Sequence, residues 1–341
     1  MKKRAVILFN LGGPDRLESV RPFLRNLFND RAIINLPAVL RYLISWIISY
    51  SRDKEAQKIY KKIGGNSPLL ANTKKQALAL EKALNKKGTK ETRCFIGMRY
   101  WHPFIKETVK DLLKWKPDEI VLLPLYPQFS TTTTGSSLTE WNIQTNPLSI
   151  FKKFKTTRIC CYFDNDIFIS AHAGNLETAL KHVKGKYRVL FSAHGLPKKI
   201  IEKGDPYQWQ VEQTVASLLK VLKRKNLDYK ICYQSKVGPL EWIGPSTEEE
   251  IICAGKEGLE IVIVPIAFVS EHSETLVELD LDYKELAKKS GAKKYHRASA
   301  LGTSELFISC LADLISNQKS KRCTKNNCVK NYSKCYNNYI G

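Results

Sequence analysis

The heptapeptide Glu119-Ile-Val-Leu-Leu-Pro-Leu125 returns 141 residues later as Glu260-Ile-Val-Ile-Val-Pro-Ile266. In each copy an unbroken apolar run stands between an acid and a proline. Such a run reads as a strand buried on both faces, the environment of a parallel sheet covered by helices. Because Glu and Pro hold fixed places in both copies, the same architecture is built twice. Further apolar runs at Ala5–Leu11, Cys94–Met98, Arg158–Phe163, Arg188–Ser192 and Lys230–Gln234 read as strands, and the second heptapeptide extends to Phe268. Amphipathic stretches at Thr73–Leu84, Phe104–Trp115, Ile167–Val183, Tyr207–Leu222 and Thr275–Ala287 alternate with them. The expected fold is α/β: two similar domains, each a parallel sheet flanked by helices, with a ligand cleft between them. The first domain takes residues 1–148 and the returning helix at 303–316, the second takes 149–302, and 317–341 form a tail. The crossover is placed in the polar stretch Asn146–Lys155.

Two strand ends carry the chemistry. Tyr187-Arg-Val-Leu-Phe-Ser-Ala-His194-Gly-Leu-Pro197 is a buried strand that breaks into a loop at a histidine. After the second heptapeptide comes a helical stretch with Glu271, His272, Glu274, Glu278 and Asp282. Residues four apart share a helix face, so Glu274, Glu278 and Asp282 form a row of carboxylates. Such a row is self-repelling unless protons, a cation or water relieves it. A neutral imidazole opposite it can take up protons or hold a divalent metal. The glycine turns Leu11-Gly-Gly-Pro14 and Ile63-Gly-Gly-Asn-Ser-Pro68 lack the spacing of nucleotide loops and instead bring backbone close to a flat ligand.

With 55 Lys+Arg against 33 Asp+Glu, the 341-residue chain carries a formal charge of +22 and attracts anions. The basic residues are spread throughout and no nucleic-acid-binding signature is present, so nucleic acid is not the expected partner. No secretory signal or membrane-length apolar run is seen, which predicts a cytoplasmic protein whose nine cysteines are reduced. The segment Ile33–Tyr50 is apolar but too short to span a bilayer. It is either a buried core helix or an interfacial element. Tyr42, Trp46 and Tyr50, with Arg52 and Lys54 beside them, favour the interfacial one. From Asn317 onward the tail has six basic residues, no acid, and Cys323, Cys328 and Cys335.

Seven segments in order resemble the ferrochelatase family: LFNLGGP at 8–14, YKKIGGNSPL at 60–69, GMRYWHP at 97–103, PLYPQFSTTTTGSS at 124–137, LFSAHGLP at 190–197, YQSKVGPLEWIGP at 233–245 and FVSEHSETLVELD at 268–280. The resemblance covers about residues 4–316. It implies two Rossmann-like domains and a lyase of haem biosynthesis. Such an enzyme inserts ferrous iron into protoporphyrin IX and releases two protons. A coproporphyrin or other tetrapyrrole chelatase is the alternative; a non-catalytic porphyrin or haem carrier has no use for the acidic row. By the resemblance, His194 and Glu274 are the facing catalytic pair, His194 as proton acceptor, metal ligand or both and Glu274 as opposing ligand or proton acceptor, with Glu278 and Asp282 behind them carrying protons or metal. Asn10, Leu11, Tyr60, Ser67, Arg99, Tyr126 and Trp242 line the porphyrin pocket, and Arg99 reaches a propionate. Arg52, preceded by Ser51, stands where relatives often carry paired arginines. Segment 33–50 is the lip of the pocket mouth, in peripheral contact with the cytoplasmic membrane face. Catalysis requires no cofactor, iron being the substrate. Some ferrochelatases hold a [2Fe–2S] cluster with C-terminal cysteines, which assigns Cys323, Cys328 and Cys335 as candidate ligands. The fourth cysteine of the animal enzymes falls within Ser130–Gly135, where Thr131 stands here, so Cys160 and Cys161 become candidates. The chain is expected as a monomer or homodimer.

Overall fold

A computed structural model describes residues 2–87, 90–224, 226–317 and 332–335. Among the described residues, eight strands form two four-stranded parallel sheets: β1 (Lys3–Asn10), β2 (Glu91–Met98), β3 (Glu119–Pro124) and β4 (Lys155–Arg158) in one, β5 (Tyr187–His194), β6 (Tyr229–Gln234), β7 (Glu260–Pro265) and β8 (Lys294–Arg297) in the other. Their orders are β2-β1-β3-β4 and β6-β5-β7-β8, the same topology twice. Even the register repeats, since Glu119 faces Lys155 as Glu260 faces Lys294. The central strands are fully buried, from Ala5 to Leu8 in β1 and Ile261 to Ile263 in β7, as helices on both faces demand.

The shared glutamate has a structural duty. Glu119 takes ion pairs from Arg4 and Lys90, and Glu260 pairs with His296 at 2.9 Å, each anchoring the N-terminal end of its sheet. At the opposite end the order 2-1-3 places a topological switch point beside β1 and beside β5, where open α/β sheets bind ligands. Asn10 ends β1 and His194 ends β5.

Some elements differ from expectation. Pairing in the fourth strand covers Lys155–Arg158, whereas Ile159–Phe163 runs on buried but outside the sheet. Its apolar character serves packing instead: the Tyr162 ring meets Phe168 and the Phe163 ring meets Trp209. β8 was not expected, because a short edge strand reading Lys-Tyr-His-Arg has no apolar run to betray it. The chain divides into two compact units, the first holding Met1–Cys160 and resuming at Leu311, the second holding Cys161–Cys310. The division thus falls after residue 160, later than the polar stretch 146–155, and the helix Glu305–Ser316 starts in one unit and ends in the other.

The apolar segment forms the first half of the helix Ala38–Lys61, and it is turned inside out. Ser45, Ser49 and Asp53, four residues apart, are its buried face, packed against the helix Val20–Phe28. Arg21 donates to the Asp53 carboxylate at 2.7 Å and stacks over the Tyr50 ring. Val39, Leu40, Tyr42, Leu43, Trp46, Ile47 and Tyr50 are exposed, up to 74% for Val39. No described helix is long and apolar enough to cross a membrane.

Candidate active site

His194 is the last residue of β5 and Glu274 begins a π-helical segment, Glu274–Asp282, that follows β7. Their side chains meet, His194 Nδ1 lying 2.9 Å from Glu274 Oε2. A carboxylate only accepts, so Nδ1 carries the proton and Nε2 is the nitrogen left for substrate. On the other side of Glu274, His272 Nε2 lies 3.7 Å from Oε1. Burial alone opposes charge on His194, but the Glu274 carboxylate, helped by Glu278, overcomes it and raises the imidazole pKa. Burial likewise opposes charge on Glu274, yet His194 and His272 hold its carboxyl well below the usual range. Each partner thus favours the charged form of the other.

Glu278 lies one turn behind. Burial first, and then the neighbouring Glu274, raise its pKa, so this carboxyl favours holding a proton. Its contacts come from the loop after β6. Ser235 donates its N–H to Glu278 Oε1 at 2.9 Å, and its hydroxyl lies 2.6 Å from Glu278 Oε2 and 3.3 Å from Glu274 Oε2. To aim both groups, Ser235 adopts φ +63°, a left-handed conformation costing roughly 1–2 kcal/mol in a residue with a Cβ. Gln234 is fully buried and sends its amide N–H to both Glu274 and Glu278 at 3.3 Å. Ser192 donates to the amide oxygen of Gln234 and thereby sets which way the amide points. Beyond Glu278 stands Tyr283, whose hydroxyl is 2.9 Å from Glu278 and 2.9 Å from Glu248. Asp282 is exposed at the outer end of the row. Trp242 flanks the histidine: a Cβ on Gly195 would lie 3.1 Å from its ring, and Trp242 donates to the Val237 carbonyl.

Within the first unit the expected pocket residues gather around the end of β1. Asn10 donates from its side chain to Thr73 and accepts from the Leu11 N–H. The backbone N–H groups of Arg99 and Tyr100 donate to the carbonyls of Asn10 and Leu11. Gly13 approaches Ser67 so closely that a Cβ there would sit 2.5 Å from Ser67 Oγ, and 4.0 Å from the Tyr60 hydroxyl. Tyr126 directly follows β3 and its Leu125 neighbour. The Arg99 guanidinium pairs through Nη2 with the buried Asp30 at 3.0 Å and donates through Nε to Ser136 at 2.7 Å, while Nη1 lies 3.8 Å from Glu140. Arg52 is half-buried on the helix Ala38–Lys61, and no hydrogen bond or ion pair joins it to another pocket residue.

The family model described as Ferrochelatase matches residues 3–319. The chain belongs to the ferrochelatase family. Among curated relatives, Ferrochelatase of Pelagibacter ubique is 50% identical, the match spanning 98% of each chain. Ferrochelatase of Wolbachia (Drosophila simulans, strain wRi) is 53% identical over 92% of this chain and 99% of its own. In fold, the chain is similar to SirB from Bacillus subtilis, with a TM-score of 0.52 at 13% identity, covering 94% of this chain and 98% of that one. The His194–Glu274 contact lies on the second unit, at the switch point of that unit's sheet. Gln234, Ser235, Tyr283 and Glu248 complete the group and were not picked out by sequence reasoning. An amide, a hydroxyl or a lone acid becomes informative only when its partners are known.

Proposed function

We propose that the chain inserts ferrous iron into protoporphyrin IX to give protohaem, releasing the two pyrrole protons. The observation that carries this reading is the His194–Glu274 contact at 2.9 Å with Glu278 held behind it by Ser235. Metalation needs a base for protons and donors that hold ferrous iron without trapping it, and an imidazole with carboxylates offers both. In its neutral form His194 keeps its Nδ1 proton on Glu274 and presents Nε2 to a pyrrole N–H. Glu274 stabilises the imidazolium that results, which strengthens His194 as a base. Glu274 then takes the Nδ1 proton of that imidazolium and passes it to Glu278 through the Ser235 hydroxyl. Iron, as substrate, is met by the Glu274 carboxylate, and by Nε2 of His194 before that nitrogen takes a proton. Protoporphyrin IX, rather than a porphyrin with four carboxylates, is favoured by the exposed apolar face of Ala38–Lys61, which suits a lipid-soluble substrate. That face, in a chain of net charge +22, supports peripheral binding to anionic membrane.

The test is an anaerobic metalation assay with ferrous iron and each porphyrin offered separately. Protoporphyrin IX should be converted and coproporphyrin should react poorly; conversion of coproporphyrin alone would overturn the substrate assignment.

A further inference from the structure

Two protons must leave the site each time one dication enters it, and both species are drawn to the same carboxylates. The side chains around Tyr283 separate the two. Its ring is 3% exposed, packed among Leu190, Cys232, Ile251, Ile261 and Leu279. Its hydroxyl has two polar partners, Oε1 of Glu278 and Oε1 of Glu248, both at 2.9 Å. A phenol has one proton to donate. Both contacts are hydrogen bonds only if one of the two carboxyls carries a proton, so the trio stores one.

We propose that Tyr283 and Glu248 form a proton outlet from the acidic row to solvent, an outlet that a metal ion cannot follow. It rests on the ferrochelatase reading above. The direction comes from position. Glu248 stands in the first turn of the ten-residue helix Thr247–Lys256, where solvent reaches it, whereas Glu278 lies on the side of the acidic row, against Ser235. Glu278 therefore holds the stored proton and Glu248 is the acceptor. On release, the O–H of Glu278 breaks as its proton joins the Tyr283 oxygen, while the original phenol O–H breaks and its proton joins Glu248. Glu248 then hands that proton to water. The emptied Glu278 receives the next proton from Glu274 by way of the Ser235 hydroxyl, which is 3.3 Å from one carboxylate and 2.6 Å from the other. An iron ion cannot take this path, because the buried phenol fills the gap between the carboxylates at hydrogen-bonding distance from both.

Tyr283→Phe removes the hydroxyl and keeps the ring, and Glu248→Gln keeps shape without charge. Each should lower kcat about tenfold, less than the hundredfold or more contributed by a group acting directly on substrate. KM for iron and for porphyrin should not change, and the rate difference between H2O and D2O should grow. The double variant should be no slower than either single one, since one broken link stops the chain. An unchanged kcat and isotope effect in Tyr283→Phe would overturn the outlet. So would a raised KM for iron, which would make this the metal's path, or fully additive losses. Failure of the unmodified protein to metalate any porphyrin would instead sink the functional reading on which the outlet depends. A thermal melt of each variant separates loss of relay from loss of fold.

Discussion

Nδ1 of His194 is committed to Glu274, and that one contact sets both the basicity of the site and its response to pH. His194→Ala should abolish metalation while leaving porphyrin binding and a cooperative melt. In Glu274→Gln the carboxylate that raises the imidazole pKa is gone. The rising limb of the pH–rate profile should therefore move to lower pH, along with a severe loss of kcat; a limb that stays in place would show that another group titrates there. Glu278→Gln should cost less, mainly at low pH, because it lies a turn behind. The same pair shapes stability. His194, raised above 6.5, contributes fully below that value and loses its contribution as pH rises through the raised pKa. Glu274, depressed below 4.5, contributes above that value and loses its contribution as pH falls through the depressed pKa. The difference in Tm between the parent and Glu274→Gln should be largest between 4.5 and 6.5. His194, Glu274 and Glu278 were legible in sequence because a histidine and acids at strand ends are conspicuous. Gln234 and Ser235 were not, since their role lies in contacts from another strand end.

At the scale of single elements, the helix Ala38–Lys61 departs furthest from an ordinary surface helix. Ser45, Ser49 and Asp53 face inward, while seven large apolar side chains face out between Val39 and Tyr50. Each such side chain taken out of water is worth on the order of 1.5–3 kcal/mol, enough together for reversible attachment to a bilayer. Sedimentation with anionic liposomes should show binding that weakens with salt. Leu43→Ser combined with Trp46→Ser should reduce it strongly at unchanged Tm, because both residues are exposed; equal sedimentation of parent and variant would refute membrane docking. Sequence showed that this stretch was too apolar for a normal surface and too short to span. It did not show the serine face, because serine is equally at home on either side of a helix. The π-helical winding of Glu274–Asp282 was likewise invisible: the acids read as a row at helical spacing, and that spacing does not distinguish a π from an α winding.

Across the whole molecule, one four-stranded design is used twice and specialised differently. Each copy follows its third strand with a π-helical segment, Thr131–Gly135 in the first and Glu274–Asp282 in the second. The first copy fills that place with threonines and the second with acids. The tail returns to the second unit, where Lys334 donates to the Gly204 carbonyl at 3.1 Å and Tyr332 stacks near Trp209. Gly204 has φ +93°, and a Cβ there would strike Ser333, so only glycine allows this docking. Cys335 is buried beside it, while Cys323 and Cys328 lie outside the described residues. Among the described residues no cluster of His, Cys, Asp and Glu is placed to hold a metal ion. Our proposal of a [2Fe–2S] cluster, with Cys335 as its docked ligand, predicts brown protein from an anaerobic preparation. It should contain about two irons per chain, and dithionite should bleach its visible absorption. Colourless, iron-free protein would refute it.

Sequence by itself determined the duplicated α/β plan, because strands buried on both faces must be apolar throughout and the two copies kept the same Glu and Pro. It also marked His194 and the acids, because polar groups at the ends of such strands stand out against that background. Tertiary structure alone decided which acid meets the histidine, how Ser235 and Gln234 bridge the two carboxyls, and that Arg99 pairs with Asp30. It also decided that Tyr283 bridges Glu278 to Glu248. Apart from Tyr283–Glu278, these are pairings between residues from 35 to 80 positions apart, as for Glu248–Tyr283 and His194–Glu274. Local propensity and periodicity act over a turn or a strand, so they leave no trace of contacts made only when the sheet brings distant loops to one edge.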